Sequence, residues 1–213
     1  MKRGLSAGAT TRLAFLSTMT IKLRYGNTNT FLVPGSSRHL LVDTDYAGAL
    51  PAFYKALKMA GVQVKDIAYV LATHYHPDHM GLIPELMKQG VRLLLMDTQI
   101  NDVHYSDQIF AREKALRFAP IEESKGELIS CRESRAFLAG IGIAGEIIST
   151  PSHSRDSVSL VLDDGDCLVG DLDPMEYLSA YGDNPALKAD WDAILGFCPK
   201  RILYSHANEK VLT

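Results

Sequence analysis

The stretch Thr73-His74-Tyr75-His76-Pro77-Asp78-His79 carries four metal-capable side chains within six residues, spaced His-x-His-x-Asp-His. It follows the apolar run Ile67-Ala68-Tyr69-Val70-Leu71-Ala72 and precedes Met80-Gly81-Leu82-Ile83-Pro84-Glu85-Leu86. A short, partly β-branched apolar run reads as a buried strand. The cluster therefore lies where a strand hands over to a helix. Side chains two apart on an extended backbone share a side, so His74 and His76 can grip one cation. Pro77 cannot continue a central strand. Asp78 and His79 are thus aimed differently, able to hold a second cation beside the first. One histidine is easily a surface residue; three with an aspartate at this spacing specify a metal site on the rim of a sheet.

Other ends of apolar runs carry the same kind of residue. Glu146 to Thr150 reads as a strand leading to Pro151-Ser152-His153, Cys167 to Gly170 leads to Asp171, and Arg201 to Tyr204 leads to Ser205-His206. His39 to Val42 ends in Asp43-Thr44-Asp45. Further strands are expected at Ile21 to Tyr25, Thr30 to Val33, Val91 to Met96 and Ser157 to Leu162. Helical spacing of Leu50, Phe53, Tyr54, Leu57 and Ala60 predicts a helix from Gly48 to Ala60, stopped by Gly61. Helices are also expected over Leu82 to Gln89, over Asn101 to Phe118, and from the Asn184 cap to Phe197, with Pro185 in the first turn. Ile121 to Arg135 reads as strand, turn and strand.

The remaining sequence narrows the class. In 213 residues, 46% are hydrophobic and 22% charged, as in an ordinary globular protein. A net charge of −3 gives no basic footprint for nucleic acid. Three distant cysteines, Cys131, Cys167 and Cys198, form no C-x-x-C pair, which fits a reducing cytoplasm. No apolar run approaches the ~20 residues that span a bilayer. Every charged residue before Asp43 is basic, so residues 1–20 read as an uncleaved leader or a first strand, and 21–213 as a single domain.

With these parts in view, the chain resembles the metallo-β-lactamase superfamily of metal-dependent hydrolases. The parts that carry the resemblance run from about Ile21 to His206. They are Asp43-Thr44, the T-H-x-H-x-D-H-x-G block at 73–81, Thr150-Pro151-Ser152-His153 with Ser157, Gly170-Asp171 and the late His206. The resemblance implies an αββα sandwich with metals in a cleft along one edge of the sheets. It implies that His74, His76 and His153 hold one divalent ion, that Asp78, His79 and His206 hold another, and that Asp171 bridges them. Zinc is the expected metal, with iron or manganese as alternatives. A shared hydroxide would be the nucleophile, with Asp78 and Asp171 the catalytic carboxylates. Asp43 would orient a ligand or a water rather than bind metal. Three positions depart from the pattern: Asp45, Leu82 and Ser152 stand where many relatives carry glycine, and none removes a ligand.

The expected activity is hydrolysis of a small ester, thioester or lactone. True zinc β-lactamases lack the bridging aspartate assigned to Asp171. Glyoxalase II-type thioesterases share the ligand set but usually add a C-terminal helical region, and only seven residues follow His206. The tRNA-processing ribonucleases fit poorly with the acidic balance. The segment Asp97 to Lys125 is expected to cover the cleft mouth, with His104 or Tyr105 near substrate; Tyr177 and Tyr181 are candidates for a lactonase tyrosine. Two other readings stay open here, a mononuclear iron oxygenase resembling persulfide dioxygenases and a non-catalytic metal-binding sensor.

Overall fold

Strands apolar at nearly every position need cover on both faces, and the chain provides it with four layers. The computed structural model describes residues 19–116, 118–180 and 183–212. The chain runs through β1 (Ile21–Leu23), β2 (Thr30–Pro34), β3 (His39–Val42), α1 (Leu50–Met59), β4 (Ile67–Leu71), the one-turn α2 (Pro77–Met80), α3 (Ile83–Met87), β5 (Arg92–Met96), α4 (Asp107–Arg112) and β6 (Glu127–Ile129). It continues with α5 (Cys131–Gly140), β7 (Gly145–Ser149), β8 (Val158–Leu162), β9 (Asp166–Gly170), α6 (Tyr177–Ala180), α7 (Pro185–Leu195), β10 (Arg201–Tyr204) and β11 (Lys210–Val211). One sheet has the order β1-β2-β3-β4-β5-β6 and the other β11-β10-β9-β8-β7.

Alternation along the strands assigns each side chain to a layer. Phe31, Val33, Leu40 and Val42 meet Leu160, Leu162, Leu168 and Leu203 between the sheets. Their neighbours Leu32 and Leu41 turn the other way, onto Phe53, Leu57, Ile83 and Leu86 of the helices. On the far side, Val161, Cys167, Val169 and Ile202 pack on Leu187, Trp191 and Ile194 of α7. The architecture is the expected αββα sandwich.

Parallel pairing then aligns the strand ends that carry the site. In β3 and β4, Val42 pairs with Leu71; in β9 and β10, Gly170 pairs with Tyr204. Two hydrogen bonds tie the sheets together at this rim. Asn29 N–H donates to the Ser205 carbonyl (2.7 Å) and Val158 N–H to that of Thr73 (2.8 Å).

Two expected elements differ. The stretch from Ile121 to Arg135 is not strand, turn and strand: after the short β6 it enters α5, whose first turn is closed by a capping box of Ser130 and Glu133. Among the described residues of the expected helix 101–118, only 107–112 are helical. Tertiary bonds hold the preceding residues in turns instead: Ser106 Oγ donates to the Tyr75 carbonyl (2.6 Å), and Asp102 takes the Arg155 guanidinium. The α6 turn and β11 were not anticipated. Residues 1–18 of the expected leader lie outside the described residues. Among those described, no helix is long and apolar enough to cross a membrane.

Candidate metal centre

Asp43, at the C-terminal end of β3, organises the rim. It is fully buried, in a left-handed conformation with φ +58°, a strained state for a non-glycine residue. Its carboxylate accepts from Thr73 N–H (2.6 Å), Thr73 Oγ1 (3.0 Å), His79 Nδ1 (3.0 Å) and Ser205 Oγ (2.8 Å). One side chain thus joins the ends of β3, β4 and β10 to α2.

These bonds set imidazole tautomers. His79 gives its Nδ1 proton to Asp43. His206 gives its own to the Asn27 carbonyl (3.2 Å). The Thr73 hydroxyl already donates to Asp43, so it accepts from His74 Nδ1 (3.2 Å). Each ring therefore turns its Nε2 toward the cleft. The Nε2 atoms of His79 and His206 are 3.3 Å apart, and His153 Nε2 lies 3.3 Å from His76 Nδ1. Facing lone pairs repel unless a proton or a cation sits between them. His74 Nε2 is buried with no hydrogen-bond partner, and buried polar atoms are rarely left so.

Asp171, at the end of β9, divides its oxygens between two groups. Oδ2 lies 3.9 Å from His74 Nε2 and 3.8 Å from His153 Nε2. Oδ1 lies 3.3 Å from both His79 Nε2 and His206 Nε2. Asp78 Oδ2 is 3.1 Å from His206 Nε2. Donor atoms of His74, His76 and His153 lie within 4.8 Å of one another, as do those of His74, His79 and Asp171, and of Asp78, His79 and His206.

The electrostatics separate the donors. Burial pushes His74 far below the usual histidine range, and neighbouring His79, His76 and His153 push the same way. Burial and His153 also lower His76. For His79, burial opposes the cation, but the Asp43 and Asp171 carboxylates outweigh it and raise the pKa to about 10. The His206 hydrogen bond holds Asp78 down at about 2, and the same contact raises His206. Imidazoles beside ionised carboxylates form a donor set suited to divalent cations once His79 gives up its extra proton.

All seven expected ligands, His74, His76, Asp78, His79, His153, Asp171 and His206, are thus brought together, and Asp43 touches a ligand from behind. Tyr105 stands at the rim with its ring centroid 5.2 Å from that of His76. Tyr177 lines an adjoining cleft of about 340 Å³ with His153, Asp171, Tyr204 and His206. His104 is engaged by Asp107 and Glu123. Tyr181 lies outside the described residues. Several supporting residues were not anticipated. Asn27, Thr73 and Ser205 set ligand or anchor orientation. Asp156 accepts from Tyr75 N–H (2.7 Å), between two ligands, and Gln99 donates to the Ala72 carbonyl (2.9 Å). Ser205 and Thr73 adjoin motif residues, which is the only local signal any of them offers.

Comparison with known proteins agrees with this fold. A family model described as the metallo-beta-lactamase superfamily matches residues 23–206. The chain belongs to that superfamily. It is 27% identical over 182 residues to a beta-lactamase-like protein 2 homolog of Drosophila melanogaster, covering 85% of this chain and 59% of that one. It is 28% identical over 138 residues to an atrochrysone carboxyl ACP thioesterase of Aspergillus fumigatus, covering 64% of this chain and 27% of the relative. The chain therefore spans well under two thirds of either relative's length. Among solved structures, TTHA1623 in a di-iron-bound form superposes with a TM-score of 0.64 at 20% identity, covering 91% of this chain and 94% of that one, and shares the fold.

Proposed function

We propose that this chain is a hydrolase that holds two divalent cations side by side and cleaves a small ester, thioester or lactone. The observation that carries the reading is the pairing of imidazole ring nitrogens at 3.3 Å in two places, with one oxygen of Asp171 turned to each group. His74, His76 and His153 would hold one cation, Asp78, His79 and His206 the other, and Asp171 both. When bound, such cations supply Lewis acidity, which makes water a nucleophile near neutral pH and polarises the attacked carbonyl.

The chain's own residues do the rest. Asp43, Thr73 and the Asn27 carbonyl take the Nδ1 protons, so that every Nε2 donor is available without a tautomer change. Asp78 and Asp171 contribute negative charge that offsets the cations and stays ionised at neutral pH. Tyr105 and Tyr177 flank the opening, where an acyl or lactone group enters. Zinc suits this mixture of imidazole and carboxylate, and the two irons of TTHA1623 keep iron as the alternative. The thioesterase name of the A. fumigatus relative supports the thioester arm.

The test is a panel of an aryl ester, an acyl thioester, a γ-lactone and a phosphodiester, run with metal-loaded protein. Turnover of one carbonyl substrate, abolished by His74→Ala, is the expected result. Full metal content with no turnover of any of them would overturn the proposal.

A further inference from the structure

The turn between β1 and β2 is built around a carboxylate that takes no part in the ligand set. Asp45 is buried, at 5% exposure. Its Oδ2 accepts from Thr28 N–H (3.1 Å) and its Oδ1 from Tyr46 N–H (2.6 Å). A Cβ on Gly26 would fall 1.8 Å from Oδ2, so the turn closes on the carboxylate at a distance that only glycine allows. On the other flank, Gly81 packs against the backbone of Asp45 to Ala47, where its Cβ would fall 2.2 Å from Ala47 N. Asp45 is therefore wedged between this turn and the residue that ends α2.

What the clamp holds is the surroundings of His206. Asn27, between the two gripped residues, offers its carbonyl to His206 Nδ1 at 3.2 Å. Thr28 Oγ1 donates to the Asp78 carbonyl (2.8 Å), and Asn29 Nδ2 donates to the carbonyls of Tyr204 (2.8 Å) and Ala207 (2.9 Å), on either side of His206. The His206 side chain is 38% exposed, against 0% for His79, so packing alone does not fix its ring. The Asn27 carbonyl at Nδ1 and the Asp78 carboxylate 3.1 Å from Nε2 do, and Asp45 places the carbonyl.

We propose that Asp45 is a positioning residue for His206: it clamps the 26–28 turn so that the Asn27 carbonyl holds Nδ1 and the ring keeps Nε2 facing the cleft. This rests on the metal assignment only for its consequence, a weaker hold on the cation shared by Asp78, His79 and His206. The hydrogen bond to Nδ1 is itself independent of metal.

The test uses Asp45→Ala, with Asp45→Asn as the milder change. The amide cannot accept from both Thr28 and Tyr46 N–H groups. In metal-free protein, solvent exchange of the imidazole N–H protons reports whether His206 Nδ1–H is held by a carbonyl. Wild type is expected to protect His206 Nδ1–H and the variants to lose that protection, with His79 unchanged. Zinc titration should then show one of two sites weakened roughly 10- to 100-fold. That loss should vanish in a His206→Ala background, because Asp45 acts through that ring. Unchanged protection of His206 Nδ1–H in whichever variant folds overturns the inference, as does a zinc effect that persists without His206. Wild type that binds no zinc refutes the metal assignment instead and leaves the exchange result standing.

Discussion

Asp43 is the residue on which the account is most exposed. Replacing it with alanine leaves buried donors on Thr73, Ser205 and His79 without an acceptor, and each costs about 1–3 kcal/mol. Asp43→Ala should therefore destabilise the fold by about 3 kcal/mol or more in urea unfolding, and weaken zinc binding roughly 10- to 100-fold. Unaltered stability would mean that the carboxylate does not join the strand ends. His79 sets a pH dependence. Its pKa of about 10 lies above the ordinary 6.5, so the folded, metal-free protein binds this proton more tightly than the unfolded chain. That stabilisation is full below about 6.5 and is lost as pH climbs through about 10. A cation must displace the same proton, so zinc affinity runs the other way and rises across that window. Chelated protein should lose thermal stability from pH 7 to 10 while its zinc affinity increases; a rise in both contradicts the assignment. The ligands were legible because four of them sit within six residues and the rest follow strand ends. Their partners were not, since Ser205 reaches Asp43 across 162 positions and Asn27 reaches His206 across 179, and nothing local marks such contacts.

At the scale of elements, α5 is instructive. Ile129-Ser130-Cys131 suggests a strand edge, and the helix that follows buries little more than Ser134 and Leu138, so helical periodicity is weak. The better signal was Ser130 with Glu133, a capping box three residues apart. The helix is held by what it meets: Ser134 Oγ accepts from Ile147 N–H of β7 (2.9 Å), and Leu138 is fully buried between the sheets. Leu138→Ala should destabilise the protein by about 2–5 kcal/mol in chemical unfolding, with the metal centre still loading zinc. A change below about 0.5 kcal/mol would place α5 outside the cooperative core. The 101–118 segment erred the other way. Its composition suits a helix, but Ser106 and Asp102 spend their hydrogen bonds on Tyr75 and Arg155, and tertiary contacts override propensity.

For the molecule as a whole, two sheets packed face to face bring five strand ends to one rim: the parallel pairs β3/β4 and β9/β10 keep four of them level, and β7, running in the direction of β9, adds His153. The αββα arrangement was legible through the motif residues that carry the family resemblance, and the sheets cover their inner and outer faces as it requires. The central claim is that this rim holds two cations joined by Asp171. Metal content per chain, measured by elemental analysis on wild type and Asp171→Ala purified without added metal or chelator, tests it most directly. The account predicts close to two metals in wild type and clearly fewer in the variant. About one iron per chain, little altered by the substitution, would contradict it.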